Sequence, residues 1–196
     1  MAPETHLPQQ PSPRAQRKPA ALAGALLCVA AQVAAAQPPD GLHDFDFVIG
    51  HWNVHLRKLL HPLTSSNEWV EYEGTSVMRK IWDERANMEE FKVTSLDKRL
   101  HIDAQTLRLY DPDTRRWSIW LADAAHGKLA GPPTVGAFKD GRGEFFDAED
   151  FNGRPILVRY VWTQPTPTTA HMEQSFSPDW GRTWEVNWIC ELSRPA

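Results

Sequence analysis

From residue 50 onward the chain alternates apolar and polar side chains with a period of two, in short runs divided by turn-forming residues. In 52–59, Trp52, Val54 and Leu56 fall on one face and Asn53, His55 and Arg57 on the other. The same pattern predicts strands at 68–78, 87–94, 106–110, 116–122, 135–139, 144–151, 156–162, 169–176 and 184–192. Ile156, Val158, Tyr160 and Trp162 share one face, and the last run places Trp184, Val186, Trp188, Cys190 and Leu192 together on another. The turns carry their own signatures. Asp111-Pro112-Asp113-Thr114 has proline where a type I turn prefers it. Asn152-Gly153 is a two-residue hairpin, because both residues tolerate positive φ. Asp140-Gly141 reads as a second hairpin, and Gly131-Pro132-Pro133 as a break between strands. No stretch after residue 50 sustains a 3.6-residue apolar period, and the connections are too short for crossover helices. The predicted class is all-β: about nine or ten antiparallel strands in up-and-down order, closed into a barrel that removes exposed edges. A β-sandwich is the alternative.

The first 36 residues depart from this pattern. Arg14, Arg17 and Lys18 precede an unbroken small and apolar run from Ala20 to Ala31, and Ala34-Ala35-Ala36 offers a small-x-small cleavage site before Gln37. These are the three parts of a secretory leader, and the run is shorter than the ~20 apolar residues a membrane span needs. Cys28 follows Leu27, not the small residue of a lipobox, and reads as part of the leader core. The expected organisation is a signal peptide at 1–36 and one domain at 37–196, periplasmic or secreted, with no stable membrane insertion once the leader is removed.

Removing a leader that carries Arg14, Arg17, Lys18 and Glu4 changes the formal charge from −4 to −6. That balance argues against nucleic acid as a partner. The remaining domain keeps one cysteine, Cys190, so no intrachain disulfide staples it, and it holds all nine tryptophans.

Asp44-Phe45-Asp46-Phe47-Val48-Ile49-Gly50-His51-Trp52 resembles the FDF-x-x-G-x-W opening of a group of small uncharacterised bacterial exported proteins similar to the DUF1579, lipocalin-like (calycin) group. Thr106-Leu107-Arg108-Leu109-Tyr110-Asp111, Arg116-Trp117-Ser118-Ile119-Trp120, Glu173-Gln174-Ser175-Phe176-Ser177 and Asn187-Trp188 read like the same group, so the likeness spans most of 43–194. It implies a lipocalin-like barrel in which Gly50 and Trp52 close one end, and implies little chemistry. Paired cysteines and a C-terminal helix, as in true lipocalins, are not visible. A separate eight-residue motif, Ser177-Pro178-Asp179-Trp180-Gly181-Arg182-Thr183-Trp184, matches the Asp-box of sialidase-like propellers. A propeller needs repeated blades and this is one copy, so the motif reads as a hairpin clasp.

Several chemistries lack support in the sequence. His51 and His55 stand about 13 Å apart along a strand, too far to share one zinc ion, and no Cys-x-x-Cys or His-Glu-x-x-His occurs. No metal or cofactor is expected; His171 or His101 would be the axial candidate if a haem were held. There is no G-x-S-x-G elbow and no phosphate loop, and Cys190 reads as a small buried hydrophobe.

The remaining constellation is polar residues inside strands: Arg108, Arg159, Glu73, Glu90, Glu173 and Asn187. Facing a lumen walled by Trp117, Trp120, Trp162 and Trp188, they would have to pair or meet a ligand. Alternation equally permits them to face water on the outer wall. The leading expectation is a barrel that binds a small apolar or aromatic molecule carrying one polar group. The first alternative is an acid–base enzyme (isomerase, cyclase or hydrolase) with Glu73 or Glu90 as base and Arg159 stabilising negative charge. The second is a structural module of the cell envelope.

Overall fold

The computed structural model describes residues 40–196; the predicted leader, with Cys28 and the cleavage site, lies outside the described residues. Ten strands follow in order: β1 (Gly50–Leu59), β2 (Trp69–Ile81), β3 (Ala86–Ser95), β4 (His101–Asp111), β5 (Arg116–Asp123), β6 (Lys128–Lys139), β7 (Arg142–Phe151), β8 (Arg154–Thr166), β9 (Thr169–Ser177) and β10 (Glu185–Ser193). Each is antiparallel to its sequence neighbours, and β1 pairs with β10, so the sheet is a closed barrel and not a sandwich. Every run of alternation became a strand.

Two details differ from the sequence reading. Gly131-Pro132-Pro133 does not break the sheet. It lies inside β6 as an irregularity where Ile119 pairs with Thr134 but Leu121 pairs with Ala130, which frees the prolines from donating to the ladder. The last run does not keep one face. A bulge at Asn187 puts Val186 opposite Ser175 and Trp188 opposite Gln174, so Trp188, Cys190 and Leu192 turn inward while Trp184 lies outside.

One end of the barrel is sealed. A 3-10 turn at Asp46–Val48 carries Phe45 into the bore, where its ring meets Phe138 at 4.9 Å and Trp117 at 5.2 Å edge-on and stacks on Phe145 at 5.5 Å. The Trp52 indole donates to the Val48 carbonyl at 2.6 Å, and the Trp117 indole to the Gly41 carbonyl at 2.9 Å. Arg194, beyond β10, stacks on Trp52 at 3.7 Å and donates to the Ile49 carbonyl at 2.9 Å and the Phe47 carbonyl at 3.2 Å. Gly50 sits there at φ +116°, and a Cβ would strike the Arg194 guanidinium.

Above the plug Arg108 spans β2, β3 and β4 from inside. It donates to Glu89 Oε2 at 2.6 Å and Asn87 Oδ1 at 3.1 Å, while Ser76 donates to the other Glu89 oxygen at 2.8 Å. The rings of Phe45 and Trp162 flank the guanidinium. Charge and aromatic packing together make the closed half of the bore solid.

The other end is a mouth. There Leu63, in the β1–β2 connection, packs against Ile156, Val158 and Phe176, and its N–H donates to Glu185 Oε1 at 2.6 Å. The Asp-box forms the predicted clasp between β9 and β10. Asp179 accepts from the Thr183 N–H (2.9 Å), the Thr183 hydroxyl (2.7 Å) and the Ser177 hydroxyl (2.9 Å), and Gly181 N–H donates to Ser177 at 2.7 Å. Those bonds, the Thr183 hydroxyl foremost, hold the Asp179 carboxyl down at about 2.

Candidate functional site

The inward-facing side chains divide the bore into two halves. Near the plug Trp52, Met78, Trp117, Phe145, Trp162 and Leu192 are buried. Towards the mouth the inward positions Ile102, Ala104, Leu121, Asp147, Tyr160 and Gln174 are only half-buried, while Tyr72, Val93, Ile156, Val158 and Phe176 beside them are buried. A ten-stranded barrel is wider than the eight-stranded kind, whose bore side chains fill or one small ligand occupies.

The polar lining of the open, mouth-side half comes from four strands. Asp147 and Glu149 lie two apart on the inner face of β7, opposite Val158 and Ile156 of β8. Thr134 is next to Asp147 on β6, one step beyond the Val135–Phe146 pair. Gln174 of β9 donates to Asn187 Oδ1 of β10 at 2.7 Å. At the mouth the Lys58 ammonium lies over Trp188 at 5.6 Å, and Trp188 in turn stands 6.2 Å from Phe91.

Burial and the proximity of Glu149 push the Asp147 carboxyl up to about 7. Glu149 is raised as well, chiefly by burial, with a hydrogen bond from Asp147 pulling the other way. Near neutral pH the two share a proton. Tyr160 beside them is held well above the ordinary phenol range by burial and then by both carboxylates. Burial lowers the Lys58 ammonium, and Asp123 offsets part of that.

The buried polar atoms that find no partner sort by position. Arg108 Nε, Tyr110 Oη and Trp162 Nε1 belong to the packed closed half, and Arg159 Nε and Ser175 Oγ lie on the outer wall below the clasp. Asp147 Oδ1, Thr134 Oγ1 and Asn187 Nδ2 face the open half, and Thr134 and Asn187 are each only 2% exposed. Acceptors and a donor buried without partners are costly, by about 1–3 kcal/mol each, unless a ligand or water meets them.

The sequence-selected residues separate accordingly. Arg108, Asn187, Trp117, Trp162 and Trp188 point into the bore; Arg108, Trp117 and Trp162 belong to the sealed half, Asn187 and Trp188 to the open half. Glu73, Glu90, Glu173, Arg159 and Trp120 project from the outer wall, because each pairs across the sheet with outward neighbours. Glu73 lines an outer cleft of about 590 Å³ with His55 and Glu191, and Glu90 lines one of about 630 Å³ with Lys92 and Asp103. Glu173 accepts from His171, which also meets Glu191 at 2.7 Å. Arg159 stacks on Trp184 at 4.4 Å. A Glu73–Arg159 or Glu90–Arg159 acid–base pair therefore has no shared pocket: β8 is across the barrel from β2 and β3. His171 and His101 also lie on the outer wall, so neither reaches the bore as an axial ligand. Among the described residues, no group of three or more His, Cys, Asp or Glu side chains is placed to hold a metal ion. Cys190 faces inward and is buried, its thiol raised well above its usual value by burial.

Asp147, Glu149, Thr134, Lys58 and Tyr160 were not singled out from the sequence. A usable clue existed: the two-residue Asn152-Gly153 turn fixes Phe151 opposite Arg154, which places Asp147 and Glu149 on the apolar face of Ile156 and Val158.

No family model matches the sequence, and no curated protein matches it. Among solved structures the barrel is similar to the S-type phycobiliprotein lyase CPES from Guillardia theta, with a TM-score of 0.54 and 12% identity over 78% of this chain and 90% of that one. Weaker likenesses are to a de novo designed fluorescence-activating β-barrel (TM-score 0.42, 12% identity, 76% and 95% covered) and to EF1p2_mFAP2b bound to DFHBI (TM-score 0.43, 12% identity, 79% and 99% covered).

Proposed function

We propose that this protein binds a small, largely apolar or aromatic molecule in the open half of its barrel. The observation that carries the reading is the set of unpartnered buried atoms on inward strands there, Asp147 Oδ1 and Thr134 Oγ1 on adjacent strands and Asn187 Nδ2 on β10, in a bore that also presents Trp188, Tyr160 and Phe91. An apolar pocket with a few placed polar groups is how small-molecule sites are built. The likeness to the lyase supports the barrel and is silent on the guest.

The leader-like residues 1–36 extend the proposal to an exported protein, periplasmic or secreted, and sequencing the mature N-terminus tests it by finding Gln37 first. Kinship with the FDF-x-x-G-x-W group is proposed on the ordered motifs alone.

Calorimetric titration with neutral bicyclic aromatics tests the binding itself. Micromolar binding is expected, weakened tenfold or more when Ala104→Trp fills the open half and unchanged when Glu73→Ala alters the outer wall. Absence of heat with every compound, or equal binding by all three proteins, would overturn the reading.

A further inference from the structure

We infer that the open half of the lumen selects an aromatic cation, a flat apolar body bearing a basic or quaternary nitrogen whose charge is met by Asp147 and Glu149. The inference rests on the ligand-binding reading above and specifies its guest.

The two carboxyl groups are side by side on the inner face of β7, with only Val158 and Ile156 opposite them on β8. Their titration is governed by burial and by each other; no lysine or arginine among the described residues acts on either. Buried carboxylates of a finished core are normally matched by a cation, as Glu89 is by Arg108 at 2.6 Å in the same barrel. Here the positive partner is missing.

The charged and titratable groups facing the pair do not supply it. Arg154, on the same face of β8 as Ile156 and Val158, is exposed at the rim and acts on neither carboxyl. Lys58 on β1 lies over Trp188 and answers to Asp123 of β5. Lys128 on β6 is strand-paired with that same Asp123. Tyr72 on β2, Tyr160 on β8 and Cys190 on β10 bring no positive charge, and Glu185 at the mouth is engaged by the Leu63 N–H. Glu89 on β3 and Arg108 on β4 are spent on each other, and β9 presents Met172, Gln174 and Phe176.

A second observation points the same way without reference to charge. Thr134 Oγ1, on the strand beside Asp147 and 2% exposed, is a hydroxyl with no hydrogen-bond partner, and Asp147 Oδ1 likewise has none. Both oxygens can turn lone pairs towards a cationic nitrogen. The electron-rich faces of Tyr160 and Phe91 favour a cationic ring over a neutral or anionic one, whereas Trp188 beside Phe91 already carries Lys58. An incoming cation also lets both carboxyls ionise, so its binding should expel the proton they share near pH 7.

The test compares three near-isosteric probes by calorimetry on the purified protein: 1-methylquinolinium, a permanent cation; 1-methylnaphthalene, neutral; and 1-naphthoate, an anion. At pH 8 the cation is expected to bind at least tenfold tighter than the neutral probe, and the anion weakest. Near pH 7, runs in buffers of different ionisation enthalpy should show close to one proton released with the cation and none with the neutral probe. Asp147→Asn with Glu149→Gln should abolish the cation preference while 1-methylnaphthalene still binds, which also shows that the variant has kept its lumen. If the neutral probe binds and the cation binds no tighter, the inference falls and the ligand-binding reading stands. If the cation is preferred but the double variant keeps that preference, the inference falls as well. If no probe binds, both readings fall.

Discussion

Inside the barrel the guanidinium of Arg108 donates to the carboxylate of Glu89 at 2.6 Å, and both side chains are almost wholly withdrawn from water. Removing one partner leaves a buried charge with no counter-ion. Arg108→Met or Glu89→Leu alone is expected to cost about 3–5 kcal/mol. The two together should cost clearly less than the sum of the singles. Urea unfolding of the four proteins measures that coupling.

Gly74 on β2 and Gly136 on β6 occupy inward positions where the neighbouring backbone comes too close for any side chain. A Cβ at Gly74 would run into the Lys92 carbonyl, and one at Gly136 into the Glu144 carbonyl. Neither has a positive φ, so the obstacle is contact with backbone that has no room to swing aside. Gly136→Ala is expected to lower stability by about 1–3 kcal/mol, as overpacking does, whereas Gly141→Ala, with open space around it, should be limited to its turn strain. Thermal melts separate the two.

Asp147 should make the protein weaker in alkali. In the unfolded chain its carboxyl ionises near 3.8, but in the barrel it keeps its proton up to about 7. Below the lower value both states are protonated and there is no penalty. As pH rises through that window the unfolded chain gains stability relative to the barrel, and above 7 the loss is complete. Asp147→Asn is neutral throughout. Its urea midpoint is therefore expected to exceed that of the parent at pH 8 and to converge with it near pH 4.

Asp179 has the opposite sign. Hydrogen bonds from Thr183 and Ser177 hold its folded value at about 2, so the stability it confers is present above pH 4 and is lost as pH falls towards 2. Asp179→Ala should lower the melting temperature at pH 7 and flatten the acid limb of the stability profile. Thr183→Val should do the same to a smaller degree.

The barrel was legible because a period of two survives in every strand and each turn carries its own chemistry. Alternation does not say which face is inside, and there the reading of the site ran out. Glu89 and Glu90 are adjacent in one strand, yet one position of register sends Glu89 inward to Arg108 and Glu90 to Arg79 on the surface, and Glu73 likewise falls on the outer face. β7 was ambiguous for the same reason: Phe145 faces in and Phe146, 42% exposed, faces out, so the strand's polar residues could belong to either side. Trp184 and Trp188 were assigned to one face because a single extra residue at Asn187 cannot be read from composition. The resident chemistry was hidden by geometry of this kind, not by unusual residues.

The seam between β1 and β10 joins stretches of chain from opposite ends of the domain, Leu56 beside Cys190 and Val54 beside Leu192, and Arg194 then locks onto the plug. Such a cylinder has no partial version that is stable at the seam. During synthesis β1 must wait unpaired on one side until nearly all of the polypeptide has appeared, and loop closure on that scale is slow. A chain that stays open this long is exposed to sticking to its own kind before it shuts.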